Sequence, residues 1–386
     1  MDPGPDRAER VARWLGRTLI AGCLAAAVVT AGWVGRRLGS PRTASAPAAA
    51  RPDAATLVVL QQAHPGWPPA EIERLMIESW MRPFTYEPFT QFAEGSLRGH
   101  YVNVDAAGFR WSSDQCAWPP SASAGAVFVF GGSTTFGYGL PDAETIASLL
   151  QDALRAGRPA TSVCVYNFGR GWFYSSQEVV LFDRLLVAGF VPRLAVFVDG
   201  LNDFLYLEDA PRFTEQLGRF MAAVNAYLQP GLRESPLPQP RPEDLGPGRV
   251  SVARSSAART ATPAALLERY ARNRRAATAV ARAFGAATAF VWQPVPFYRL
   301  DLTRHPFRGQ VAAVPWGSRV RAGYELMAAR RATLAAAPRD GAEGQFIWCA
   351  DVQAVSSPVA YLDTVHYAPA LSRAVAGCIA DGLQRP

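Results

Sequence analysis

The chain has 386 residues, 49% hydrophobic and 18% charged, which is enough apolar material for a substantial core and too much for a disordered protein. The net charge of +7 is concentrated at the start, where residues 1–42 hold seven arginines against Asp2, Asp6 and Glu9. The weakly basic remainder has no basic run, so nucleic acid is not expected as a partner.

Arg17 and Arg36 bracket eighteen uncharged residues, Thr18–Gly35. As a helix these would span roughly 27 Å, close to the hydrocarbon thickness of a bilayer. A cleaved signal peptide would need a polar region with a cleavage site, and here arginines end the run directly. Ile20-Ala21-Gly22-Cys23 looks like a lipoprotein box, but too few apolar residues precede it. The expectation is therefore a cytoplasmic tail (1–17), a single transmembrane anchor (18–35) and a Pro/Ala-rich linker (36–56). The anchor places the protein in the cell membrane, with the remaining chain extracytoplasmic, either periplasmic or at the cell surface.

Residues 57–122 read as a helix and a strap. Pro69–Trp80 carries apolar residues at helical spacing (Ile72, Leu75, Met76, Trp80), and Met81–Arg110 is aromatic and irregular, with a turn at Gly108 and no chemistry of its own. From 123 to 386 the pattern alternates. Strands are predicted at 127–130, 163–166, 194–198, 288–292 and 345–348, with helices at 144–156, 175–188, 211–228, 263–284, 319–335 and 369–383. Such alternation implies a doubly wound parallel sheet with helices on both faces. The proline-rich stretch 229–262 interrupts it as an insertion, and 298–316 is a shorter irregular excursion. Cysteines are few and form no C-x-x-C, so zinc has no support. Cys349 with Cys378 is the preferred disulfide, and buried free thiols fit the sequence equally well.

Ligands on parallel sheets sit at the carboxyl ends of the strands. The first strand ends in Gly131-Gly132-Ser133, a glycine turn that lifts one hydroxyl above the sheet edge. It is not a phosphate loop, because no Gly-Lys-Ser/Thr follows and the chain contains no lysine. Nor is it a G-x-S-x-G elbow, since Thr135 stands two residues beyond the serine. The second strand ends in Asn167-Phe168-Gly169-Arg170-Gly171-Trp172, the third in Asp199-Gly200-Leu201-Asn202-Asp203. After the last strand comes Asp363-Thr364-Val365-His366. Asp363 is close enough to orient His366, leaving the other ring nitrogen to accept a proton from Ser133. Asn202 can offer a side-chain N–H to a developing oxyanion, beside the Ser133 backbone N–H.

GGSTTFGYG, NFGRG, DGLND and DTVHYAP, in that order, resemble the blocks of the SGNH (GDSL-type) hydrolases from about Ala126 to the C-terminus. The resemblance implies a three-layer α/β/α, flavodoxin-like fold and cofactor-free, serine-dependent ester hydrolysis through an acyl-enzyme. By it Ser133 is the nucleophile, His366 the base, Asp363 its orienting carboxylate, and Ser133, Gly171 and Asn202 the oxyanion hole. One position departs: Trp172 stands where the family's second oxyanion block has glycine, with Gly171 one residue early, so Trp172 is the alternative donor. Arg170 either selects an anionic substrate or pairs with a local acid such as Glu178. Expected substrates are O-acyl esters of envelope glycans or lipids, without metal or organic cofactor. The alternatives are an O-acyltransferase using the same triad and a non-catalytic glycan-binding scaffold.

Overall fold

A computed structural model describes residues 52–121, 125–156, 163–228, 261–337, 341, 343–355 and 359–384. The chain divides at Ala50–Arg51, and all that is described belongs to the second unit. The transmembrane helix expected at 18–35 is corrected as part of the fold: among the described residues no helix is long and apolar enough to cross a membrane. The longest, Pro263–Ala283, carries five arginines and Glu268, two of the arginines buried. Residues 18–35 themselves, most of the 36–56 linker and most of the 229–262 insertion lie outside the described residues.

Before the main sheet come two helices, α1 (Ala54–Ala63) and α2 (Pro69–Trp80). Helix α1 starts inside the stretch read as linker, where the Asp53 carboxylate accepts from the Thr56 N–H at 2.7 Å and caps its first turn. The strap is more ordered than its composition suggests. It folds into an antiparallel hairpin, β1 (Phe84–Glu87) with β2 (Gln91–Glu94), and a second short pair, β3 (Leu97–Arg98) with β4 (Asn103–Val104).

The main sheet has five parallel strands: β5 (Gly125–Gly131), β6 (Val163–Asn167), β7 (Leu194–Asp199), β8 (Ala287–Trp292) and β9 (Gln345–Trp348), in the order β6-β5-β7-β8-β9. Counted from β5 this is 2-1-3-4-5, the flavodoxin-like order, and the order reverses beside β5. The strands are nearly continuous apolar runs because both faces are covered. Alternate residues face opposite sides. Val127, Val129, Val196 and Val291 pack with the helices at 146–155 and 369–384. Phe128, Phe130, Phe197 and Phe290 pack with those at 175–187 and 263–283. On that second face Phe130, Phe197 and Phe290 stack ring on ring at 5.0 and 5.1 Å. The result is a three-layer α/β/α sandwich.

Two disulfides staple its edges. Cys116–Cys164 ties the segment before β5 to edge strand β6, and the expected Cys349–Cys378 pair ties the end of β9 to the last helix.

Candidate active site

Strand β5 ends at Gly131, and Ser133 opens a single helical turn, α3 (Ser133–Phe136). Glycine is required just before the serine: a Cβ on Gly132 would lie 2.5 Å from Asn202 Nδ2 and 3.1 Å from the Phe173 carbonyl oxygen. The turn is held from below by Arg110, a fully buried residue of the strap. Its guanidinium donates to the carbonyls of Phe136 at 2.9 Å and Gly137 at 2.6 Å, and to Asp142 Oδ1 at 2.9 Å. These carbonyls, at the end of a short helix, otherwise have only the Leu140 N–H on Gly137 at 3.1 Å and a long contact from Asn167 Nδ2 on Phe136 at 3.5 Å. Thr134 Oγ1 donates to Gln293 Oε1 at 2.7 Å, and Asn167 Nδ2 to the Thr135 carbonyl at 2.9 Å. Ser133 is therefore anchored on both sides while remaining only half-buried.

The predicted serine, histidine and aspartate come together. His366 Nε2 lies 2.8 Å from Ser133 Oγ, and Nδ1 lies 2.6 Å from Asp363 Oδ2. The other carboxylate oxygen of Asp363 accepts the backbone N–H groups of Val365 and His366, each at 2.8 Å. An ionised carboxylate can only accept, so Nδ1 carries the proton and Nε2 presents its lone pair to the serine hydroxyl. Burial pushes the Asp363 carboxyl up, but attraction to His366, the hydrogen bond from its ring and the two backbone donors outweigh this, leaving it below its ordinary 3.8. It is held as the anion. The His366 ring is fixed from the other side by Trp80, edge-on at 4.7 Å, and by Tyr138 at 5.6 Å.

Three of the four expected oxyanion groups remain open to a ligand. Among the described residues the Ser133 N–H has no intramolecular acceptor. Asn202 Nδ2 gives one hydrogen to the Phe173 carbonyl at 2.6 Å, which orients the amide and leaves its second hydrogen. The Gly171 N–H is occupied, donating to Glu94 Oε1 at 2.8 Å. Trp172, next in the chain, adopts a left-handed backbone with φ +60°, and its N–H makes no hydrogen bond among the described residues. That conformation costs a non-glycine residue about 1 kcal/mol or more, so the tryptophan takes the backbone shape of a glycine at this register. Its ring packs edge-on against Phe84 at 5.4 Å.

Glu94, from β2, organises this corner. Its buried carboxylate accepts from Arg82 Nη2, the Tyr138 hydroxyl and the Gly171 N–H, each at 2.8 Å. Arg170 does not pair with Glu178. It is buried, bridges to Glu87 of β1 and reaches the Phe92 carbonyl at 3.3 Å, so it is a strut between the sheet edge and the hairpin rather than a ligand. Glu178 instead sits with Asp199 and Asp203 in a buried acid cluster beneath the Asn202 turn. Burial, then repulsion from Asp199 and Asp203, raises Glu178 well above its ordinary value. Burial, then repulsion from Asp203, does the same to Asp199, with the Glu178 hydrogen bond and Arg274 opposing it. Burial also raises Asp203, with Arg269 and Ser175 opposing it.

Sequence reasoning missed the strap's part in the site. Arg82, Glu94 and Arg110 come from the stretch read as a strap with no chemistry of its own, Trp80 from the helix just before it, and no short motif marks them. The only legible signal was a density of charged and aromatic residues in an irregular segment.

No protein-family model matches the chain, and no curated protein matches it. Solved structures with a similar arrangement include an α/β hydrolase enzyme from the metagenome of Lake Arreo, Spain (13% identity, TM-score 0.38, covering 68% of this chain and 96% of that one). Others are a member of the lipolytic G-D-S-L family from Veillonella parvula (12%, 0.37, 68% and 99%) and an acetylxylan esterase from Geobacillus stearothermophilus (12%, 0.39, 68% and 96%).

Proposed function

We propose that the protein is a serine-dependent ester hydrolase of the SGNH (GDSL) type, acting through an acyl-enzyme. The observation that carries this is the hydrogen-bonded series Ser133–His366–Asp363, at 2.8 and 2.6 Å, beside unengaged donors at the carboxyl edge of the sheet. In the first half-reaction Ser133 Oγ attacks the ester carbonyl as its proton passes to His366 Nε2. The tetrahedral oxyanion is met by the N–H of Ser133, the free Nδ2 hydrogen of Asn202 and the N–H of Trp172, which replaces Gly171 because Glu94 already holds the Gly171 donor. Collapse expels the alcohol, which takes the proton from His366. Water then attacks the acyl-enzyme by the same route in reverse. O-acyl esters of glycans or lipids are the substrate class we favour.

Two disulfides support an oxidising, extracytoplasmic workplace, since such bonds are rare in the reducing cytosol.

Fluorophosphonate labelling tests the reading. Wild-type protein should be labelled, and Ser133→Ala and His366→Ala should not, with a panel of short-chain and sugar esters to follow. A folded wild type that takes no label would sink the hydrolase reading and favour a glycan-binding scaffold.

A further inference from the structure

Four arginines surround the site, and three of them are neutralised. Arg82 pairs with Glu94, Arg110 with Asp142 and Arg170 with Glu87. The fourth, Arg212, is exposed, and among the described residues it makes no hydrogen bond or ion pair. The nearest acids in the chain are committed elsewhere: Asp209 accepts from Ser176 Oγ at 2.6 Å, and Glu208 has its own partner. Glu215 faces Arg219 at 3.6 Å.

Nor is Arg212 a loose surface side chain. Its guanidinium carbon lies 5.1 Å from the centre of the Trp172 ring, within the range of a cation–π contact. The chain on its C-terminal side is pinned. Phe213 packs against Phe92 at 4.9 Å and Phe84 at 5.9 Å, and Thr214 Oγ1 accepts from Gln91 Nε2 at 2.8 Å while donating to the Pro211 carbonyl at 2.8 Å. Trp172 in turn stands next to the oxyanion corner, and rings run from it through Tyr138 to His366 at 6.5 and 5.6 Å. A guanidinium on that ring therefore places a positive charge beside Trp172, with its hydrogen-bond donors unspent.

We infer that Arg212, seated on Trp172, is a carboxylate subsite that selects esters carried by an acidic sugar over those carried by a neutral one. This rests on the ester-hydrolase reading above and names its substrate class. A guanidinium matches a carboxylate with two parallel N–H donors, and the partly buried side chains of Trp80 and Trp172 on either side of Tyr138 offer aromatic surface for the apolar face of a sugar. The pairing is at the surface, so it is salt-sensitive and its contribution is a modest preference, about fivefold at low ionic strength.

The test uses the Ser133→Ala protein, so that binding is read without turnover. Calorimetry compares an acetylated methyl galacturonoside with the matching acetylated methyl galactoside at low and high salt. The acidic sugar should bind about fivefold tighter at low salt. That advantage should disappear in an added Arg212→Gln, return in part with Arg212→Lys, and shrink as salt is raised. Equal affinity for the two sugars, or a preference that survives Arg212→Gln, would overturn the inference. So would tighter binding of an acetylated sugar phosphate than of the uronide, which would assign the subsite to phosphate. Selective binding by Ser133→Ala, alongside a wild type that neither cleaves the esters nor takes fluorophosphonate, would leave the subsite standing and remove the hydrolase.

Discussion

Replacing Asp363 by asparagine changes one atom at the site and separates a working proton relay from a merely well-packed histidine. The carboxylate now uses one oxygen for the backbone N–H groups of Val365 and His366 and the other for the His366 ring. An asparagine amide has only one orientation here. Its oxygen must face the two backbone donors, because turning the NH₂ toward them would set donors against donors. The NH₂ then points at Nδ1, which is 2.6 Å away from the replaced atom and can only accept from it. The ring proton is driven to Nε2, and the nitrogen facing Ser133 Oγ can no longer take a proton. The expected loss is about 10⁴-fold, the scale of the same change in a serine-protease triad, or about 5 kcal/mol in the barrier. The assay is the second-order rate of fluorophosphonate labelling at neutral pH, with thermal unfolding as a control for folding. A folded Asp363→Asn protein within tenfold of wild type would refute the assigned tautomer, and with it the relay.

Three further outcomes follow from the surroundings of the site. Glu94→Gln leaves the buried Arg82 guanidinium without its counter-charge and should destabilise the protein by about 3–5 kcal/mol in denaturant titration; a change under about 1 kcal/mol would show that Arg82 finds another partner. Removing the Cys349–Cys378 bridge, which closes a 29-residue separation, should cost about 3–4 kcal/mol on chain entropy, measured as a fall in urea midpoint for the double serine variant and contradicted by an unchanged midpoint. The third concerns pH. Glu178 holds its proton more tightly folded than unfolded, so the stability it contributes is full below its ordinary 4.5 and is lost as pH rises through the raised folded value. Urea midpoints of wild type should therefore decline from pH 5 to pH 8 more steeply than those of Glu178→Gln, and parallel slopes would contradict this. Asp363 acts in the opposite sense and in another window, its contribution being lost only as pH falls below 3.8.

Much of this molecule was legible because its signals are local. Short apolar runs rich in β-formers, such as Val127–Phe130 and Leu194–Val198, read as strands buried on both faces, and the helical patterns between them imply a parallel sheet. Once the strands are parallel, their carboxyl ends share one edge, and Ser133, Asn202, Asp363 and His366 converge without any knowledge of distances. Cys349 with Cys378 was the preferred pair, but buried free thiols fitted the sequence equally well, and only the structure bonds the two. What tertiary structure alone decided is which donor meets which acceptor. The Gly171 N–H is taken by Glu94, 77 residues away, and the Arg170 guanidinium by Glu87, 83 residues away. Both acids sit on a hairpin whose irregular composition hid its strands. A backbone donor has no side-chain signature, and an arginine's partner is set by the packing of distant segments rather than by spacing. The same long-range packing seats Trp80 against His366 and Arg212 on Trp172. Local pattern thus wrote the sheet and the neighbourhood of Ser133 into the sequence, while the corner around Gly171 and Trp172 and its charge balance exist only once the strap has folded against the sheet edge.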